Sequence, residues 1–150
     1  MELIAVGAPA PPVPGVTFDD GPVAVVFYKV TCPVCQMAAP KVEAMGRAYP
    51  GRVVGVGQDP NEELGRFGRE FGMAIPAIPD LPPYDVSNAF GIETVPTVVL
   101  VGGDGTVIDT VVSWDRDGYN RASARLGELT GEAPVVVSEP SDGLPPFRPG

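Results

Sequence analysis

Two cysteines separated by two residues, Cys32-Pro33-Val34-Cys35, stand where one hydrophobic pattern gives way to another. Before them runs an unbroken apolar stretch, Val23-Ala24-Val25-Val26-Phe27-Tyr28, as expected of a strand buried on both faces. After them Val34, Met37, Ala38, Val42 and Met45 recur at steps of three or four, the spacing of a helix. The pair therefore falls in the first turn of a helix fed by a buried strand. Backbone N–H groups in that turn have no intrahelical partner, and the positive end of the helix dipole favours a thiolate. Such a setting lowers a thiol from ~8.5 to roughly 3.5–7.5. The chain has no other cysteine, and these two are spaced for a disulfide with each other.

Composition narrows what this pair can be for. With 150 residues and a hydrophobic fraction of 44%, one domain with a real core is expected. The net charge of -9 argues against nucleic acid and anionic membrane surfaces as partners, since both require basic patches. Histidine is absent, which removes it as a general base or metal ligand. A tetrahedral zinc site needs two ligands beyond the cysteine pair, and this chain has no other thiolate and no imidazole to supply them. No metal or other cofactor is expected. No stretch is long enough to span a bilayer, and Met1-Glu2-Leu3-Ile4-Ala5-Val6-Gly7 lacks the basic n-region of a signal peptide. A cytoplasmic location is the expectation, and there a close cysteine pair points to catalysis rather than stapling.

The nineteen prolines and nineteen glycines mark the ends and joints. Residues 1–16 read as an extended arm, because Ala8-Pro9-Ala10-Pro11-Pro12-Val13-Pro14-Gly15 cannot be helical. Thr17 and Phe18 suggest a short edge strand. Pro40 falls inside the cysteine helix and should kink it, and Pro50-Gly51 ends it. Arg52–Gly57 reads as a second strand. Asp59-Pro60-Asn61 reads as the cap and first turn of a helix with Leu64, Phe67 and Phe71 on one face and Gly72 at its end. Ala74–Pro83 holds at best a short strand, and Val86, Ala89 and Phe90 suggest a short helix. Thr97–Val101 and Thr106–Val112 form a hairpin about Gly102-Gly103-Asp104-Gly105. Tyr119, Ala122, Leu126 and Leu129 face one way on a last helix closed by Gly131. The order predicts an α/β fold: a mixed central sheet, parallel in its first part and antiparallel at the hairpin, with helices on both faces. The domain spans 1–131, and 132–150 is a Pro/Gly-rich tail.

This layout, with Cys-x-x-Cys at the first long strand-to-helix junction, resembles the thioredoxin fold. Pro40 resembles the family's kink proline, and Val95-Pro96 its cis-proline beside the cysteines. Gly55-Val56-Gly57-Gln58-Asp59, the extra helix, Ile78-Pro79-Asp80 and Gly91-Ile92-Glu93-Thr94-Val95-Pro96-Thr97 resemble the TlpA/AhpC-TSA branch, which carries an insertion in that fold. The resemblance covers about residues 5–130. It implies a thiol–disulfide oxidoreductase in which Cys32 attacks a substrate disulfide and Cys35 resolves the mixed disulfide. It also implies that the Val95 backbone pairs with an extended substrate strand, as in β-augmentation. Thr31, Pro33, Val95, Pro96 and Trp114 are the expected substrate-binding residues. Trp114 has two readings: a rim residue at the active site, or a core cap whose N–H meets backbone.

The chain departs from the thioredoxin pattern at three places. Thr31 stands where a tryptophan is usual, Pro33-Val34 replaces Gly-Pro, and Val26 takes the place of a buried acid that helps deprotonate the second cysteine. Glu43 and Asp80 are the candidate substitutes for that acid. Lys29 is either a cation near Cys32 or a solvated strand end. The implied partners are a protein or small-molecule disulfide and an electron donor such as a thioredoxin reductase or a low-molecular-weight thiol. Two rival functions remain at this level. One is a thiol peroxidase of peroxiredoxin type, although Lys29 and Val25 stand where that family has threonine and proline. The other is a non-enzymatic binding module, in which the tail or groove does the binding. The tail has two readings: a mobile terminus, or a segment that folds back over the domain or docks Pro145-Pro146-Phe147 on a partner. The valines 135–137 can add an edge strand or cover a groove, and the last residues are expected to be disordered.

Overall fold

A computed structural model describes residues 2–150. Its centre is β1 (Val23–Tyr28), whose six residues are all buried. Beside it lie β2 (Val53–Gly57), parallel, and β4 (Thr97–Val101), antiparallel. The sheet is completed by β3 (Ala77–Pro79), parallel to β2, and β5 (Val107–Val112), antiparallel to β4, in the order β3-β2-β1-β4-β5. Four helices accompany it: α1 (Pro33–Ala48), α2 (Asn61–Phe71), α3 (Asp85–Ala89) and α4 (Arg116–Thr130). The parallel half arises because the crossovers through α1 and α2 return the chain in the same direction. β5 runs antiparallel to β4 because of the tight turn between them, where Gly105 has φ +82° and donates to the Gly102 carbonyl at 2.9 Å.

Alternate residues of β1 face two different cores. Ala24, Val26 and Tyr28 join α1, α2 and α4 through Val42, Met45, Phe67, Tyr119 and Leu126. Val23, Val25 and Phe27 face the other way, against Phe90, Val99, Val101 and Val13. The second face also has a helix on it, as expected, since α3 packs Val86 there, but most of its cover is not helical. Besides Phe90 after the short α3, its cover is the proline-rich arm, with Val13 buried and Ile4, Ala10, Val16 and Phe18 packed on it. The arm is fastened by backbone: Gly7 N–H donates to Val107 O at 2.8 Å, Val107 N–H to Ala8 O at 2.9 Å and Ala10 N–H to Gly105 O at 2.8 Å. Proline blocks helix but leaves an extended segment able to donate and accept at its other residues.

Several local expectations shift. Thr17-Phe18 is not a strand, and the pairing along that edge is made instead by a Pro9–Thr106 bridge. Asp59 does not cap α2. The cap position is Pro60, which offers no side-chain bond, and Asp59 accepts from Val30 N–H at 2.9 Å instead. Leu129 is 42% exposed, while Tyr119, Ala122 and Leu126 are fully buried. Pro40 lies inside α1 on its exposed side, and the helix continues to Ala48.

The tail takes the folded-back course of its two readings, and it is its last residues that depart from expectation. After α4 the chain turns back across the domain, with Val137 and Ser138 buried, through a 3-10 turn at Pro140–Asp142 to β7 (Phe147–Arg148). β7 pairs antiparallel with β6 (Trp114–Asp115), matching Trp114 with Arg148 and Asp115 with Phe147. The last residues are thus ordered against the fold. Asp142 is the fastening: it lies 3.3 Å from Arg116 and 3.0 Å from Lys41, and accepts from Ser138 Oγ at 2.6 Å and Leu144 N–H at 2.9 Å. Arg116 also donates to the Leu144 carbonyl at 2.7 Å. Of the three valines, Val137 covers the core while Val135 and Val136 stay exposed, and none forms a strand.

Candidate active site

The loop from β1 to α1 is built to present Cys32. Asp59 Oδ2 holds Val30 N–H at 2.9 Å, Gln36 Nε2 donates to Val30 O at 2.9 Å, and Cys32 N–H donates to Lys29 O at 3.1 Å. Cys32 is the N-cap residue of α1, with extended φ and ψ of -85° and 113°. Its sulfur accepts from Cys35 N–H at 3.1 Å, the bond an N-cap side chain makes to the first turn. Pro33 follows at the start of α1, where a missing N–H costs nothing. Thr31 and Pro33 are exposed, Cys32 is half-buried and Cys35 is 3% exposed.

The two sulfurs differ sharply in acidity. Cys32 is lowered to about 6: the Cys35 thiol donates to it, the N–H groups of Cys35 and Val34 add to this, and the Arg148 charge helps, against partial desolvation. Cys35 is held well above the ordinary thiol range, first because its proton is engaged by Cys32 and then because it is buried. One proton is therefore shared by the pair and resides on Cys35, so Cys32 is mostly thiolate at neutral pH.

Across from Cys32 lies the loop before β4. Its Val95–Pro96 bond is cis, and the Cys32 sulfur lies 3.5 Å from the Val95 carbonyl oxygen. A protonated Cys32 donates to that oxygen, whereas the thiolate can only accept, as it does from Cys35 N–H. Val95 is half-buried and Pro96 buried, with Thr97 Oγ1 fixing the loop by donating to Thr94 O at 2.6 Å.

No protein-family model matches the chain, and no curated protein matches it. Solved structures do. A putative protein disulfide isomerase from Bacteroides thetaiotaomicron is 19% identical with a TM-score of 0.72, over 88% of this chain and 96% of that one. The thioredoxin domain of a thiol-disulfide oxidoreductase from Bacteroides vulgatus is 20% identical with a TM-score of 0.68, over 82% of this chain and 99% of that one. MTB dsbF, in its mixed oxidized and reduced forms, is 26% identical with a TM-score of 0.61, over 70% of this chain and 80% of that one. The chain has the thioredoxin fold.

Within that fold the structure brings Thr31, Cys32, Pro33, Cys35, Val95 and Pro96 together at one end of the sheet. Trp114 is different. It is fully buried, its Nε1 donates to Pro145 O at 2.7 Å, and it packs on Tyr119 with ring centroids 4.6 Å apart. It caps the core under the tail with its N–H on backbone, the second of its two readings, and has no surface to offer a substrate, which corrects its expected place on the rim. The two candidate acids are occupied elsewhere. Glu43 accepts from Ala74 N–H and Arg47, and Asp80 accepts from Val86 and Ser87 N–H at the start of α3. Two buried phenols feel the pair instead: burial raises Tyr28 and Tyr119, with Asp59 and then Cys35 adding for Tyr28, and Cys35 and then Cys32 for Tyr119. Neither hydroxyl has a hydrogen-bond partner among the described residues.

Sequence reasoning passed over Arg148 and Gly150. Lys29 contributes its backbone carbonyl, while the cation that acts on Cys32 is Arg148, whose Nη1 is 3.9 Å from Met37 Sδ on α1. The only signal was the apolar Leu144-Pro145-Pro146-Phe147 beside a lone arginine in an otherwise featureless end.

Proposed function

We propose that this protein is a thiol–disulfide oxidoreductase that donates two electrons from the Cys32–Cys35 dithiol to a disulfide. The observation that carries this is the split pair: Cys32 is lowered to about 6 at the helix cap while Cys35, beside it, keeps the proton. The Cys32 thiolate attacks one sulfur of a substrate disulfide, forming a mixed disulfide and releasing the other substrate sulfur as a thiolate. Loss of the Cys32 negative charge removes what held the Cys35 proton. Cys35 then attacks Cys32, its proton leaves with the second substrate sulfur, and the internal disulfide remains. The Bacteroides vulgatus neighbour, described as a thiol-disulfide oxidoreductase, supports the same reading.

The finer parts of the proposal are the donor, the groove and the place. A thioredoxin reductase or a low-molecular-weight thiol resupplies the electrons. Where the Val95 backbone is uncovered, an extended partner strand pairs with it beside Cys32, flanked by Thr31, Pro33 and Pro96. The cytoplasm is taken as the place of work, because a dithiol donor needs a reducing pool to refill it. Cell fractionation checks this, and recovery among exported proteins would overturn it.

The test of function is dithiothreitol-driven insulin reduction and hydrogen-peroxide consumption by wild type, Cys32→Ser and Cys35→Ser. Reduction that needs both cysteines is the expected result. Peroxide turnover dependent on Cys32 alone would replace the reading with a peroxidase. No reversible disulfide and no turnover would leave a binding module.

A further inference from the structure

The backbone position beside Val95 that an extended substrate would use already has an occupant. From β7 the chain runs on through Pro149 to Gly150, whose N–H donates to Ser113 Oγ at 3.1 Å. Gly150 sits so close to the loop that a Cβ built on it would overlap the Val95 carbonyl oxygen and come within 3.0 Å of Thr94 Cγ2. Only glycine fits. The segment is fastened from several sides: β6–β7 pairing, Trp114 Nε1 on Pro145 O at 2.7 Å, Arg116 N–H on Pro146 O at 3.0 Å, and the Asp142 cluster behind. Yet Cys32 itself stays half-exposed between exposed Thr31 and Pro33.

These facts separate two demands that disulfide substrates make. A small disulfide needs only an in-line approach of one sulfur to the Cys32 thiolate. A disulfide within a polypeptide must also lay several residues of backbone beside the attacking sulfur, and here that means beside Val95. We propose that the C-terminal segment 147–150 is a specificity determinant: by filling the strand-pairing position at Val95 it directs exchange toward small-molecule disulfides and admits a polypeptide only when it lifts. The inference rests on the oxidoreductase reading above. The chemistry is unchanged: two electrons pass from the dithiol to the small disulfide, which leaves as two thiols, and an external thiol reductant regenerates the pair.

The test uses the full chain with dithiothreitol as reductant and two probes, insulin and bis(2-hydroxyethyl) disulfide. The readout is the ratio of their kcat/KM values, which a general loss of folded protein does not move. Gly150→Val places a side chain where Val95 O stands and expels the segment. Ser113→Ala removes the hydroxyl that holds Gly150 N–H. The expected result is a rise of at least about fivefold in the insulin-to-small-disulfide ratio in either variant, the scale of one net hydrogen bond. A ratio unchanged or lowered in both variants overturns the proposal and leaves the oxidoreductase reading standing. Turnover of neither probe by wild type overturns both.

Discussion

At the scale of single residues, the site is an exercise in unequal sharing. Cys32 and Cys35 are three positions apart, but one caps a helix and the other is buried, so a single proton has an unambiguous home. Iodoacetamide should therefore alkylate Cys32 of the reduced protein first, with a rate that rises through pH about 6, while Cys35 stays unmodified; peptide mass spectrometry checks both. Cys35→Ala removes the largest influence on Cys32, so the midpoint of that profile should move up. The cysteines and Val95-Pro96 were legible because their chemistry depends on local spacing and on a family pattern. Trp114 was legible only as one of two readings, since its burial depends on Pro145, thirty-one positions away and in a stretch with no hydrophobic period. Asp59 misled for a related reason: a carboxylate just before a helix satisfies the nearest unpaired N–H, and here Val30 was better placed than the helix end.

Among elements, the regular ones were legible. β1, β4 and α1 carry strong periodicity or continuous apolar runs, and their bounds in the structure agree closely with those read from the residues. The arm and the tail were not, because proline-rich segments bury themselves through scattered single residues such as Val13 and Val137 rather than along a face. Their attachment is polar and specific, which makes it testable. Arg116 is 9% exposed and bonds Ser138, Asp142 and Leu144 at 3.0, 3.3 and 2.7 Å. Arg116→Met should keep its packing, lose those bonds and cost about 2 kcal/mol. In a chain of this length that lowers the melting temperature by roughly 4–8 °C, followed by circular dichroism.

For the molecule as a whole, acid should act on the tail before it acts on the sheet. Ser138 Oγ, Leu144 N–H and Lys41 hold the Asp142 carboxyl well below the usual carboxylate range. A lowered acid contributes attachment that is complete above its unfolded value of about 4 and fades as the pH falls below it. Emission from Trp114, the sole tryptophan, should accordingly shift to the red below pH about 4 while far-ultraviolet circular dichroism persists. Asp142→Asn should produce much of that shift at neutral pH. The sheet itself carries a final consequence. One margin stops at the three-residue β3 with Pro79 in it, and the other is overlaid by the arm at Gly7, Ala8 and Ala10. The first border is too short, and Pro79 too poor a donor, to template a second copy, so stacking margin to margin into fibres would have to start from β5 beyond Val107, where the arm no longer follows the strand.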